Sequence, residues 1–251
     1  MRNKYVSRRN YDEEKIKKNI LKRKISVWLV IIILIPTLLY ISSYVLRQKH
    51  YLFISMFMLV AVMLPFFVSF EYKAIRAREI VLFAMMVSFC VSFNLLCAHT
   101  IPLHGGSAVV VLSGIALGPE AGFLTGALGR FICNFFDGQG PWTPWQMFAF
   151  GIIGFLAGLL FRGKREKYKK SKLILCLYGG IATLVIYGFL MDTSSITMFG
   201  TGFSWKALAA MYASGLPFNI VHGISTMVFL FFLAGPMDRK LERIKKKYGI
   251  L

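Results

Sequence analysis

The sequence predicts an all-α membrane protein, a polytopic bundle of eight helical segments arranged as two plus six. The 251 residues are 57% hydrophobic and have a mean hydropathy of +0.62, which is too apolar for an ordinary soluble domain. The apolar residues form blocks of about 20, the length of one spanning helix, whereas barrel strands would be about half as long. The basic residues lie between these blocks.

Two apolar blocks near the N-terminus, 25–45 and 51–70, predict a transmembrane hairpin. The basic tail 1–24 precedes it. We interpret this tail as a solvated segment, with an amphipathic helix on an anionic leaflet as the alternative. No small-residue cleavage site follows the tail, so a secretory signal peptide is not expected. The charged segment 71–78 is predicted to be a linker that separates the hairpin from the rest.

Six further segments are predicted within residues 79–236, and the third of the chain's spans is the first of them. It covers 79–97 and is followed by a loop over 98–106. The next apolar block, 107–118, is too short for a straight spanning helix and ends where Pro119 and several glycines follow. Short broken segments of this kind are tolerated where they line a cavity or are covered by protein, so they indicate a site.

The last four segments are longer. They are predicted over 121–136, 145–161, 173–191 and 206–234, with a loop over 192–205 and a basic tail over 237–251. The long segment contains Gly215 and Pro217, which predict a kinked or tilted helix.

The net charge of +19 follows from membrane orientation. Of the 30 Lys and Arg residues, 26 lie in five segments that an even number of spans puts on one side: 1–24, 71–78, 118–120, 162–172 and 235–251. The positive-inside rule makes this side cytoplasmic, so both termini are predicted to be cytoplasmic. A nucleic-acid partner is therefore not needed to explain the charge.

No motif predicts an enzyme. The chain has no His-Glu-x-x-His, no Gly-x-Ser-x-Gly, no paired aspartates in two helix interiors and no Walker sequence. The four cysteines lie in apolar blocks without metal-ligand spacing, so we predict small buried hydrophobes, no metal and no cofactor.

The stretch from 118 to 146, GPEAGFLTGALGRFICNFFDGQGPWTPWQ, is the most informative part of the chain. It places Glu120, Arg130 and Asn134 in an apolar run and leaves that run through Asp137. Arginine at membrane depth costs roughly 2.5–3.5 kcal/mol on insertion scales. A cost of this size indicates a polar interior or a ligand as its compensation.

Polar and aromatic residues gather at helix ends that share the predicted outer side, together with Arg130 within the membrane. Aromatic walls with a few polar groups are typical of a small-molecule pocket. The predicted substrate-binding residues are Asn94, His99, His104, Arg130, Asn134, Asp137, Trp142, Trp145, Gln146, Asp192, Tyr212 and Asn219, with Trp205 and His222 nearby.

Each of these residues also has a purely structural interpretation. The tryptophans suit an interfacial aromatic belt, and Asn94 and Asn219 suit hydrogen bonds between helices. Arg130 could simply pair with Asp137 or a helix-end carbonyl. The two loop histidines need no function. The argument for a pocket therefore rests on the whole set.

The sequence resembles the substrate-binding S components of energy-coupling factor (ECF) transporters over about residues 75–240. The specific part is the run GP-x-x-GF-x-x-G-x-x-GR from Gly118 to Arg130, followed by GPWTPWQ from Gly140 to Gln146. The six-segment core is similar to the family fold. The two N-terminal spans depart from that plan.

The resemblance implies a binding subunit that captures a vitamin-like solute at its outer face and has no ATPase. A transmembrane T subunit and two cytoplasmic ATPases would couple hydrolysis to toppling of the S component in the cytoplasmic membrane. Ala84 and Ser88 resemble the small-residue pair that contacts the T subunit, with Ser in place of the usual second Ala. A cobalamin-like corrinoid is the favoured ligand, and flavins and queuosine precursors suit the aromatic residues as well.

Two other functions stay open at this point. A membrane sensor or scaffold module could also hold Arg and Asn within helices, although it would need a signalling partner. A polytopic membrane enzyme would have to use His99, His104 and Asp137.

Overall fold

A computed structural model describes residues 77–100, 103–162, 172–199 and 205–249, with five single positions farther upstream. Every regular element in these ranges is helical, which confirms a polytopic all-α architecture. The predicted tail 1–24, the hairpin 25–70 and nearly all of the linker 71–78 lie outside the described residues.

Seven helices follow one another in the described ranges. They are α1 (Ala77–Thr100), α2 (Gly106–Leu117), α3 (Pro119–Asp137), α4 (Thr143–Phe161), α5 (Lys172–Ala182), α6 (Gly188–Phe199) and α7 (Trp205–Tyr248). A π-helical turn, Thr183–Tyr187, joins α5 to α6. The stretch from α5 to α6 is therefore one continuous helical segment.

The segments alternate in direction, so the bundle has two distinct ends. At one end, the Arg78 guanidinium donates to the Tyr248 carbonyl over 3.2 Å, and the Lys245 ammonium donates to the Ala116 carbonyl. These contacts bring the start of α1 to the ends of α2 and α7. We call this the basic end. The opposite site end holds the end of α3 and the starts of α2, α4 and α7.

Glycines pack α2, α3 and α4 backbone against backbone. A methyl group on Gly114 or Gly122 would meet the Gly154 carbonyl, and one on Gly126 would meet the Phe150 backbone. Small residues allow helices in a membrane to approach this closely. Gly118 has φ +115° and accommodates the turn from α2 to α3 at a conformation that a side chain would strain. We call these three helices the glycine block.

The helix pair α5–α7 packs mainly through side chains. Leu175 and Leu230 are fully buried, and a methyl group on Gly179 would meet the Leu230 side chain. A chain of buried hydroxyls joins this pair to α2, since Thr226 is hydrogen-bonded to both Ser107 and Thr183. The core of the bundle lies between this pair and the glycine block.

Four of the described helical stretches are long and apolar enough to cross a membrane: Ala77–Thr100, Thr143–Phe161, Lys172–Ser195 and Trp205–Tyr248. The short apolar helix at Gly106–Leu117 agrees with the predicted short block. The protein is therefore a multi-pass helical membrane protein.

Three predicted boundaries were wrong. The loop 98–106 is shorter because α1 continues to Thr100, and the loop 192–205 begins later because α6 continues to Phe199. Asp192 thus lies inside a helix, where Ser194 and Ser195 bond to the preceding Met191 carbonyl.

The third correction concerns α7. The helix does not end near 234 but runs for 44 residues through Pro217 and Pro236, so the predicted tail 237–251 is helical as far as Tyr248. The reason is packing, because Leu241 is buried and Ile244 contacts the core beyond the apolar block.

Candidate functional site

A hydrogen-bonded polar network lies at the site end of the glycine block. The Arg130 Nε donates to the Gln146 Oε1 over 3.1 Å, and its Nη2 lies 3.2 Å from the Asp137 Oδ2 in an ion pair. The guanidinium also stands 5.9 Å from the centre of the Phe150 ring, within cation–π range. The predicted pairing of Arg130 with Asp137 is confirmed. This pairing compensates for a charge whose side chain is only 12% exposed.

Asn134 completes this network from a fully buried position. Its Nδ2 donates to the Gln146 Oε1 over 2.8 Å and to the Thr143 Oγ1 over 3.0 Å. The Gln146 carbonyl oxygen therefore accepts from both Arg130 and Asn134. We call Arg130, Asn134, Asp137 and Gln146 the arginine network.

Local sequence explains why these groups meet. Residues 130, 134 and 137 lie on one face of α3, since positions four and three apart share a helix face. A short connection after Gly138, which has φ +103°, returns the chain so that α4 begins beside the end of α3. Thr143 fixes this connection, because its hydroxyl donates to the Gln139 Oε1 and accepts from the Gly140 amide.

An aromatic cluster faces the arginine network from the other half of the bundle. The His222 ring centre lies 4.7 Å from those of His104 and Tyr187, and 5.7 Å from that of Phe150. Phe218 contacts both histidines, with centroid distances of 5.0 and 5.9 Å. Phe150 thus touches both the Arg130 guanidinium and the His222 imidazole, which joins the two groups into one site.

Three buried polar atoms in this site have no hydrogen-bond partner within the described ranges: the Asn134 Oδ1 and both ring nitrogens of His222. Leaving a buried polar group unpaired costs about 1–3 kcal/mol, so such groups are uncommon and call for an explanation. Their position between a guanidinium and several aromatic rings is suited to a ligand that supplies the missing partners.

His104 lies in the connection between α1 and α2 and is partly buried against this cluster. Burial lowers its pKa below the ordinary value of 6.5, and the positive charge of Arg130 acts in the same direction, while Asp137 opposes it. His104 is therefore neutral at pH 7 and presents one donor and one acceptor nitrogen.

A second polar group lies between α6 and α7. The Asn219 Nδ2 donates to the Asp192 Oδ2 over 2.9 Å, and the Tyr212 hydroxyl is hydrogen-bonded to the Thr193 hydroxyl over 2.9 Å. These residues line a groove of about 400 Å³ whose other walls are mostly exposed aliphatic side chains. The structure therefore divides the predicted set into two neighbouring groups.

Other predicted residues lie outside both groups. His99 is exposed in the last turn of α1 and contacts the Leu95 carbonyl, while Trp142 is 39% exposed. Trp145 packs in an apolar cluster between α3 and α4, and Trp205 is 76% exposed. Their part in binding stays a prediction.

Asn94 has a structural environment. It is buried in α1, accepts a hydrogen bond from the Gly106 amide over 3.3 Å, and donates to the Cys133 sulfur. It therefore fixes the start of α2 beside the site, as expected for an asparagine that bonds between helices. All four cysteines are buried and free, as predicted.

Sequence reasoning did not single out Tyr187, and it gave His222 no assigned role. His222 lies three residues after Asn219, and that spacing in an apolar helix was the available signal. Tyr187 ends the π-helical turn, and π turns are frequent at functional sites. Apolar periodicity does not reveal such a turn.

The small residues Ala84 and Ser88 lie one helical turn apart on α1, and both are exposed on its outer face. Met85 and Phe89 on the same face are also exposed. A second helix could therefore approach α1 closely along this face.

Comparison with known proteins identifies one matching family. The family model described as ECF-type riboflavin transporter, S component, matches residues 74–239, most of the described bundle. No solved structure matches the chain.

The curated relatives are all described as UPF0397 proteins. That of Aster yellows witches'-broom phytoplasma (strain AYWB) is 29% identical over 125 residues, covering 45% of this chain and 66% of the relative. That of Vibrio atlanticus (strain LGP32) is 27% identical over 99 residues, or 39% and 54%. That of Aliivibrio fischeri (strain MJ11) is 38% identical over 57 residues, or 23% and 31%. The chain spans less than two thirds of the length of these relatives.

Proposed function

The chain belongs to the ECF-type riboflavin transporter S component family, whose members are binding subunits of transporters rather than enzymes. We propose that this protein captures a vitamin at the site end of its bundle and delivers it through a T subunit and two separate ATPases. The site end would face outward and the basic end would face the cytoplasm, as the distribution of Lys and Arg predicts.

One observation carries the proposal: a bonded arginine network faces three unpaired polar atoms across aromatic rings. The network is already organised, because Arg130 and Asn134 both bond to one Gln146 oxygen. A ligand would thus meet fixed donors and acceptors, and little ordering would be needed on binding.

The ligand class follows from this set of groups. A flat heteroaromatic ring stacks on aromatic side chains, and the hydrogen-bonding edge of such a ring could pair with the Asn134 Oδ1 and the His222 nitrogens. A flavin has both features, and the matched family is described by riboflavin. Riboflavin is therefore the first ligand to test, and the cobalamin that the sequence had favoured is the second.

The test is ligand binding by the purified full-length chain without ATP. Riboflavin and cobalamin are titrated separately, and small molecules retained after purification are identified by mass spectrometry. Asn134→Ala should weaken binding by roughly ten-fold, because it removes an amide that meets the ligand and orients Gln146. Asn219→Ala is the matched control, since it removes a buried amide from the second group. Equal losses in both variants would contradict the assignment of the site to the arginine network.

We propose that the T subunit docks on the outer face of α1 at Ala84 and Ser88. Ala84→Leu with Ser88→Leu should abolish co-purification with the T subunit and the ATPases, because larger side chains prevent close helix contact. Ala210→Leu with Ser214→Leu provides a matched control, because this exposed pair has the same spacing on α7. If both double variants retain the partners, the docking face lies elsewhere.

Orientation is tested by labelling introduced cysteines in intact cells, since the native cysteines are buried. Lys247→Cys should resist an impermeant thiol reagent and Trp142→Cys should react with it. The reverse pattern would show that the site end faces the cytoplasm.

A further inference from the structure

Two cations converge at the basic end of the seam between α5 and α7. The Lys172 Nζ lies 3.5 Å and the Arg239 Nη1 lies 3.8 Å from the point where a β-carbon on Gly235 would stand. Lys172 begins α5, and its ammonium also stands 5.7 Å from the centre of the Phe231 ring. Both side chains are on exposed residues. Two like charges near one point are an attractive site for an anion.

The positive surface continues along α7 away from the membrane-spanning part. Arg239, Arg243, Lys246 and Lys247 line a groove of about 580 Å³ together with the single carboxylate of Glu242. Asp238 is adjacent in sequence, so it also reduces the local charge. Even so, basic groups outnumber acidic ones in this groove by four to one.

The opposite direction along the same seam is apolar and exposed. On α7, Val228, Phe231 and Phe232 are 41%, 55% and 67% exposed, and on α5, Leu173 and Leu177 are 63% and 42% exposed. These residues belong to two of the stretches that are apolar enough to span a membrane. The surface thus changes from apolar to basic at Lys172 and Arg239.

We propose that an anionic phospholipid binds at this seam. Its phosphate would lie between Lys172 and Arg239, and an acyl chain would lie along Phe231 and Leu173. Basic pockets between membrane helices on the cytoplasmic side recognise such head groups. The occupant is a lipid because the charged point is continuous with a surface that only hydrocarbon covers favourably.

The experiment titrates fluorescent phosphatidylglycerol into the detergent-solubilised full-length chain, with phosphatidylcholine of the same acyl chains as the neutral comparison. Each Lys or Arg near an anionic lipid contributes roughly a five-fold change in affinity. Lys172→Gln and Arg239→Gln should each weaken phosphatidylglycerol binding by about this factor, and the double variant by about twenty-five-fold. Phosphatidylcholine binding should not change.

Lys240→Gln is the matched control, because Lys240 is exposed beside Arg239 but does not line the groove. An equal loss in Lys240→Gln would show general surface attraction and overturn the proposal. Inorganic phosphate that competes at the same concentration as the lipid would also overturn it, because the acyl chain would then contribute nothing. Variants that lose the T subunit or ATPases while binding lipid normally would identify a protein-docking surface instead.

Discussion

The glycine block and the α5–α7 pair contribute different things to the same site. The block packs backbone against backbone, and its polar side chains Arg130, Asn134 and Gln146 are bonded to one another. The pair packs through side chains, includes a π turn, and contributes His222, whose ring nitrogens have no partner within the described residues. The difference indicates that the block holds a fixed recognition surface, and that the pair completes the site around the ligand.

The strongest test of this comparison is to separate the helices of the block. Gly154→Ala should destabilise the protein by about 3 kcal/mol, because the added methyl would meet the Gly122 carbonyl and the Val110 side chain. Gly235→Ala, where a methyl would make only ordinary contacts, should have little effect. Thermal unfolding of both variants in detergent measures the difference. Equal midpoints would show that the block is not held by close packing.

Arg130→Ala should have the next largest effect. It removes the charged donor that bonds to Gln146 and leaves the Asp137 carboxylate unpaired, so vitamin affinity should fall roughly ten- to hundred-fold. Arg130→Lys keeps the charge without the planar fork and should recover only part of the affinity. Titration of the preferred vitamin distinguishes the two variants. Full recovery with lysine would mean that charge alone matters.

His222→Phe tests the contribution of the other half. The ring packing against Tyr187 and Phe218 is kept, while both unpaired nitrogens are removed. We expect roughly ten-fold weaker vitamin binding together with unchanged or increased thermal stability, since an unpaired buried polar group is lost. Tyr187→Phe is the control that leaves the imidazole in place. A variant that is less stable and binds normally would assign the histidine to packing only.

The smallest expected effect concerns pH. Because burial lowers the pKa of His104 in the folded state, the unfolded chain takes up the proton more readily. This residue therefore reduces stability as the pH falls below about 6.5 and has no such effect above it. His104→Gln should lessen the drop in melting temperature between pH 7.5 and pH 5.5. Identical drops in both proteins would contradict this account.

The sequence predicted what depends on composition and punctuation. The short helix α2 was predicted because Gly118 and Pro119 end an apolar block after about 12 residues. Arg130 and Asp137 were expected to pair because a charge in an apolar run needs compensation. The clustering of the arginine network followed from helix spacing and a tight return after Gly138.

Features that depend on tertiary packing were not predictable in the same way. The end of α7 was placed too early because the basic composition after residue 234 conceals Leu241 and Ile244, which still pack on the core. Asp192 was placed at a helix end because nothing local shows that Asn219 bonds to it. The partners of Tyr187 depend on a π turn whose extra residue per turn leaves no mark in an apolar run.

Helix α7 has one further consequence. At about 1.5 Å per residue its 44 residues extend roughly 66 Å, about twice the thickness of a hydrocarbon layer. His222 is in its outer half, and Lys245 holds its far end to α2. A single rod of this length acts as a lever, so a small tilt where the vitamin sits becomes a larger swing at the far tip, where the ATP-driven machinery would sense it.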